Sequence, residues 1–190
     1  CSCTGVVYDD RLSTHYNAWN KDFTETPLRV IKCIERCREM GLLDRCKRIP
    51  VREATDNEIL TCHSQRHLEI LKSTQFMSED ELKAISQKYD YIYFHKQSYQ
   101  NAKLALGGTI DLFESIVTGK VKNGMAIVRP PGHHAMEEEY CGYCYFSNAA
   151  IATQIMLDKY HLKRVLLLDW DVHHGQGSQF KFYNDSRFVL

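Results

Sequence analysis

Val165-Leu166-Leu167-Leu168-Asp169-Trp170-Asp171-Val172-His173-His174-Gly175 decides the reading of this chain. Val165 to Leu168 predicts a strand buried on both faces, as in a parallel sheet. Side chains alternate along a strand, so Asp169, Asp171 and His173 are expected to project together at its carboxyl end. Three charged or ligating groups at the end of a buried strand are costly unless a metal or a partner satisfies them. Neighbouring carboxylates also repel each other, and a cation relieves that. Carboxylate oxygen with imidazole nitrogen suits zinc, with Asp171 and His173 as ligands and Asp169 behind them, orienting a histidine or holding a monovalent ion. No third ligand is evident.

The rest of the chain sets limits. Its 190 residues allow one sizeable domain, and 44% hydrophobic with 25% charged residues is ordinary globular composition. With 24 basic and 24 acidic residues the formal charge is zero, which excludes a global electrostatic pull toward nucleic acid or membrane. No transmembrane run and no signal peptide is visible. The eight cysteines (Cys1, Cys3, Cys33, Cys37, Cys46, Cys62, Cys141, Cys144) therefore read as mostly reduced thiols of a cytoplasmic or nuclear protein. Both ends read as cuts, Cys1 standing where Met would and Arg187 to Leu190 reading as a strand begun, so a piece of a longer protein is expected.

Periodicity predicts an α/β order. Gly5 to Tyr8 reads as a strand; Thr26-Pro27 opens a helix with the stripe Leu28, Ile31, Ile34 and Cys37, and Gly41 closes it. Thr55–Glu58 and Ser78–Glu81 fit the capping box. From residue 90 the order is strand (Tyr91 to Phe94), helix (Ser98 to Thr118), buried strand (Met125 to Val128), helix (Ser147 to Tyr160) and strand (Val165 to Asp171). That order argues for right-handed crossovers in one parallel sheet. Ligands bind beyond the carboxyl ends of such strands. His133-His134, on the proline-stiffened turn of Arg129-Pro130-Pro131-Gly132-His133-His134-Ala135, should share that edge with Asp171 and His173. Imidazoles held there suit general acid–base work, whereas an isolated His-His would read as a surface loop.

Other patterns have plainer readings. Cys141-Gly142-Tyr143-Cys144 is a single CxxC without a second pair, and reads as a packed loop at the site mouth, with Tyr143 the residue of interest, rather than as a redox pair. His63 and His67 have i, i+4 spacing without the adjacent Glu of a zinc-protease helix, and read as an ordinary amphipathic helix. Glu137 to Glu139 reads as a solvated loop.

Together, RPPGHHA at 129–135, CGYCYFSNAAIA at 141–152 and VLLLDWDVHHGQG at 165–177 resemble the zinc-dependent histone deacetylases, in the family's order and spacing. The DWDVHHGQG form resembles class II, and TGVVYD, GLLDRC and NGMAIVRPPGHH are most similar to its tubulin-deacetylase subgroup. The resemblance implies the arginase/deacetylase fold, a parallel sheet flanked by helices, with residues 1–190 forming the N-terminal portion of one catalytic domain. It implies hydrolysis of acetyl-lysine with Zn2+ as cofactor and K+ as a structural ion. It makes Asp171 and His173 two of three zinc ligands, His134 the general base, His133 its assistant and Asp169 the support of His133 and a K+ ligand. It also makes Gly142 and Tyr143 the tunnel wall for the acetyl-lysine stem, and Arg29 a residue of the internal acetate channel. Implied partners are acetylated proteins such as tubulin, histones and chaperones, and a second deacetylase domain in a longer chain. Two departures stand out. The family's third ligand, an Asp, and its oxyanion-stabilising Tyr lie downstream of the HHG motif, where this chain has ended, so the chain by itself is expected to be inactive. The family's acidic or Ser contact to the substrate backbone falls at Tyr91. The alternatives are an acetylpolyamine deacetylase on the same fold and a non-catalytic interaction module.

Overall fold

β1 (Thr4–Val7) is the middle of a parallel three-stranded ladder in a computed structural model that describes residues 3–189. β2 (Cys46–Arg48) pairs on one side of it, Thr4 facing Cys46, and β3 (Asn123–Ala126) on the other, Thr4 facing Asn123. β4 (Val165–Leu166) and β5 (Phe188–Val189) form a second parallel ladder. Every named strand pair is parallel, and helices flank the strands, as the α/β order predicts. Cys1 and Leu190 lie outside the described residues.

Between β1 and β2 runs α1 (Leu28–Glu39), with the Thr26 hydroxyl accepting from Leu28 N at 3.2 Å. It ends on Gly41 at φ 63°, where Gly41 N donates to Arg38 O and Leu42 N to Cys37 O, the paired bonds of a Schellman stop. Its buried stripe is Val30 and Ile34 rather than one led by Leu28, which is 56% exposed. Both predicted capping boxes form, at α2 (Asp56–Ile59) and α4 (Glu79–Ser86), on either side of α3 (Gln65–Ser73).

α5 (Ser98–Val117) is the central helix, buried on several sides rather than along one stripe. Glycines permit this close approach. A Cβ on Gly107 would collide with the backbone of Arg52 and Ala54, and one on Gly108 with Val7. α6 (Asn148–Lys159) follows β3 and lies against α5; α7 (Gln176–Phe182) follows β4. The main core joins these helices to Phe94, Tyr140, Tyr145 and Phe146, each no more than 1% exposed. Burying an aromatic or branched side chain of that size stabilises by roughly 1.5–3 kcal/mol.

Three expectations change. Tyr91 to Phe94 forms no strand; Asp90 makes only an isolated bridge to Cys141. Ile92, Tyr93 and Phe94 are nonetheless buried, so the apolar run serves core filling without a ladder partner. The Met125 to Val128 stretch is buried only toward its end: the strand spans Asn123–Ala126 with Asn123, Gly124 and Met125 exposed, while Ala126 and Val128 are half-buried and Ile127 is buried. β4 is not buried on both faces either. Val165 and Leu167 turn inward while Leu166 (68%), Leu168 (65%) and Trp170 (86%) stand exposed. Among the described residues no strand pairs between β3 and β4, and nothing covers that outward row.

Candidate active site

β3 leads through a cis Arg129–Pro130 bond to the His133-His134 turn. Arg129 anchors the base of this segment. Only 2% exposed, it donates from Nε to Glu25 Oε1 (2.5 Å) and from Nη2 to Glu25 Oε2 (2.7 Å) and to the Tyr93 hydroxyl (2.7 Å). A further bond runs from Nη1 to Leu12 O (3.1 Å). A buried charge is tolerated when it is paired and hydrogen-bonded, and the bidentate fork with the Tyr93 and Leu12 acceptors supplies that. Burial and the Glu25 carboxylate push the Tyr93 phenol above its ordinary range, so it stays a donor, to Glu25 Oε2 at 2.6 Å. Neither Glu25 nor Tyr93 is legible as a partner from sequence, since Glu25 lies 104 positions from Arg129.

The edge prediction holds in its essentials. His133 and His134 have ring centroids 4.0 Å apart, and His134 and His173 6.0 Å. His133 Nδ1 lies 2.8 Å from Asp169 Oδ2, and His134 Nδ1 lies 2.6 Å from Gln176 Oε1. An acceptor at each Nδ1 directs a ring proton there, which leaves Nε2 as the nitrogen that can take up or give a proton. Gln176, at the start of α7, is a site residue that sequence reasoning missed; its signal is the Gln of the HHGQG run. Two glycines of that run let the segments meet. A Cβ on Gly175 would strike Asp169 and His133, and one on Gly177 would strike Ala135, while Gly177 N donates to His133 O at 3.0 Å.

Strand alternation does not bring Asp169, Asp171 and His173 together as expected. The ladder stops at Leu166 and the segment bends, so Asp169 turns to His133 while Asp171 and His173 turn to each other. His173 Nδ1 lies 2.9 Å from Asp171 Oδ1, which also accepts from His173 N at 2.8 Å; these bonds hold the Asp171 carboxyl below the usual carboxylate range. Asp169 Oδ1 accepts from Asp171 N at 3.1 Å. Backbone N–H groups therefore offset the carboxylate repulsion that the sequence alone attributes to a cation. Asp171 and His173 remain exposed, an oxygen and a nitrogen donor side by side, a set that fits part of a zinc site. Among the described residues no group of three such donors is gathered.

Gly142 lies against the His134 ring, and Tyr143 follows it. They are the centre of a tight turn, at φ 52° and φ 70°, closed by Cys144 N donating to Cys141 O at 2.9 Å. Two left-handed residues in succession mark a type I′ turn, easy for Gly and strained for Tyr. A Cβ on Gly142 would run into the His134 ring, so this glycine sets how close the wall comes to the imidazole. Cys144 is buried, its thiol pushed up to about 12 by desolvation, which suits packing rather than redox exchange. Arg29 is placed beside this wall, its guanidinium 5.8 Å from the Tyr143 ring centre and 3.5 Å from Glu25 Oε1. It is half-exposed, on an open groove with Arg129 and Pro131 rather than in an enclosed channel.

His63 and His67 are not a helical metal pair. His63 precedes α3, and the two rings stack at 4.4 Å inside the core. His63 Nδ1 lies 2.8 Å from Met136 O, its Nε2 accepts from Ser147 N at 2.9 Å, and His67 Nε2 lies 2.7 Å from Tyr145 O. They tie α3 to the loop that follows the histidine turn. Glu137, Glu138 and Glu139 are exposed, as predicted.

Comparison with known proteins agrees with this geometry. The chain is 44% identical over 186 residues to "Polyamine deacetylase HDAC10" of Danio rerio, covering 97% of this chain and 28% of that protein. It is 41% identical to "Histone deacetylase HDA1" of Candida albicans, covering 98% and 25%. The solved HDA15 HD domain superposes with a TM-score of 0.87 at 33% identity, covering 100% of this chain and 53% of that one. The chain thus spans about a quarter of the length of these curated relatives and about half of the solved domain. The histone deacetylase domain pattern matches residues 23–190, and with the parallel fold and the paired histidines in place, this chain belongs to the histone deacetylase domain family.

Proposed function

We propose that residues 1–190 form the N-terminal part of one catalytic domain of a class II, zinc-dependent lysine deacetylase. The observation that carries this is the meeting of two independently supported imidazoles, His133 on Asp169 and His134 on Gln176, with the donor pair Asp171 and His173. Asp171 and His173 would hold zinc as two of its ligands. When bound, zinc supplies Lewis acidity that lowers the pKa of water and polarises an amide carbonyl. His134, with Nδ1 engaged by Gln176, takes a proton at Nε2; general-base help of this kind contributes about 10²–10⁴-fold. His133, paired with the Asp169 carboxylate, is suited to carry positive charge and to protonate the departing lysine amine. Asp169 is also the residue for a K+ ion. Gly142 and Tyr143 flank the aliphatic stem of acetyl-lysine, and Arg29 the acetate product.

The substrates are acetylated proteins, with tubulin foremost by the likeness of three segments to the first catalytic domain of histone deacetylase 6, then histones and chaperones. The setting is cytoplasmic, extending to the nucleus. An acetylpolyamine substrate is the second reading, favoured by the 44% identity to a protein named a polyamine deacetylase. A non-catalytic interaction module is the third. Residues 1–190 alone are expected to be nearly inactive, because two metal donors do not complete a catalytic zinc site. The decisive experiment compares the full-length zinc-loaded protein with residues 1–190, on acetyl-tubulin peptide and on acetylspermidine. Turnover of the peptide by the full-length protein only is expected. Preference for acetylspermidine would establish the second reading, and zinc-loaded protein inert on both the third.

A further inference from the structure

We propose that Tyr91 is a specificity-determining residue, the outer member of an aromatic collar that receives an aromatic side chain flanking the acetylated lysine of a peptide. This rests on the deacetylase reading above and adds which peptide is preferred. Tyr91 is 64% exposed and held at φ 49°, a conformation cheap for Gly or Asn and strained for Tyr. A solvated ring on a strained backbone does little for folding, so its use lies in what it touches from outside. The strain is fixed by the neighbouring turn: Tyr91 O accepts from Tyr143 N and Asp90 O from Gly142 N, each at 3.0 Å.

Among the described residues the ring packs against one other aromatic ring, edge-to-face with Tyr143 at 6.3 Å and 86°. Tyr143 is itself anchored, its hydroxyl 2.7 Å from Thr24 Oγ1 and its ring edge-on to Phe23 at 5.7 Å. Phe23 in turn meets the buried Tyr93 edge-on at 5.3 Å. The series Tyr93, Phe23, Tyr143, Tyr91 thus runs from the core to the rim of the wall beside His134, and only its last member lacks a covering ring. A rigid, preformed aromatic surface binds with little loss of side-chain freedom. Arg29 already lies over Tyr143, so the nearest cation position is taken from within and an uncharged ring is the better fit outside.

The test measures kcat and KM of the full-length zinc-loaded protein on acetyl-lysine peptides whose flanking residue is Trp, Phe, Ala, Glu or Arg. A second readout takes Kd for the same fluorescent peptides by anisotropy. Wild type is expected to favour Trp and Phe over Ala by roughly three- to tenfold, through KM and Kd rather than kcat. Tyr91→Phe keeps that ratio. Tyr91→Ser and Tyr91→Gly bring it near one, and Tyr91→Gly also raises Tm by relieving φ, which separates lost recognition from misfolding. A ratio unchanged in Tyr91→Ser, or a wild-type preference for Arg, overturns the collar while leaving the deacetylase reading intact. No turnover of any peptide in the series overturns both.

Discussion

At the scale of single residues, the site rests on which acceptor each imidazole has found. His134 carries a neutral amide at Nδ1 and His133 a carboxylate, and under the proposed function that asymmetry separates a proton acceptor from a holder of positive charge. In the full-length zinc-loaded protein, His134→Ala is expected to lower kcat by about 10²–10⁴-fold with little change in KM. Gln176→Leu leaves the ring in place without its orienting acceptor and should lower kcat by about 10–100-fold, the usual cost of losing an outer hydrogen-bond partner. A Gln176→Leu enzyme as fast as wild type would remove Gln176 from the machinery. Arg129 answers a different measurement. Arg129→Met removes the buried bidentate partner of Glu25 and leaves its carboxylate only the Tyr93 hydroxyl and the longer contact to Arg29, and breaking a buried pair in this way costs about 3–5 kcal/mol. The denaturant midpoint should fall accordingly, whereas an unchanged midpoint would show that Glu25 finds another partner.

At the scale of elements, the turn Cys141–Cys144 and the glycines set distances that side chains then use. Gly142→Ala adds a methyl group at φ 52° against the His134 ring. A displacement of about 1 Å at a reacting group can cost 10²-fold, so kcat should fall by about that factor while Tm drops only slightly. Equal activity in Gly142→Ala would place the wall farther from His134. The elements also show how much was legible. Capping boxes, the Gly41 stop and the helices at 98–117 and 148–159 follow from local chemistry, hydrogen bonds within four residues that neighbours do not alter. The strands were legible in place but not in burial. A strand's two faces are covered by segments distant in sequence, and neither Met125 nor Leu166 announces which of its neighbours is missing. Tyr91 to Phe94 has strand composition and no ladder, because pairing needs an edge that the surroundings supply.

For the whole molecule, Leu166, Leu168, Trp170 and Val172 form an exposed apolar row along and beyond β4, which among the described residues pairs only with β5. Apolar strand edges of this kind template association. Residues 1–190 produced alone should therefore scatter light at micromolar concentration, and Leu166→Lys with Trp170→Glu should reduce it; a clean monomer with a sharp melt would contradict this. Acid stability is set elsewhere. Burial lowers His63 to about 3 and His67 to about 4, below the ordinary histidine value near 6.5, so the unfolded chain takes up protons before the folded one does. Their contribution is complete above about pH 6.5 and is lost as pH falls toward those lowered values. In the full-length protein, Tm followed from pH 7 to pH 4 should drop, and His67→Phe should flatten the profile; an unflattened profile would place the acid-sensitive groups elsewhere.

The sequence by itself determined the α/β order, the helix ends, the pairing of the His133-His134 turn with the Asp169 to His173 segment, and the family. Each of these follows from local hydrogen bonding, periodicity or motif chemistry. Only the tertiary structure decided that Gln176 orients His134, that Glu25 and Tyr93 hold Arg129, and that His63 and His67 belong to the core. It alone also showed the outward row from Leu166 to Val172 standing exposed. Partners tens of residues apart are chosen by how the chain closes on itself, and that closure depends on the summed burial of many segments, which no single stretch of sequence carries.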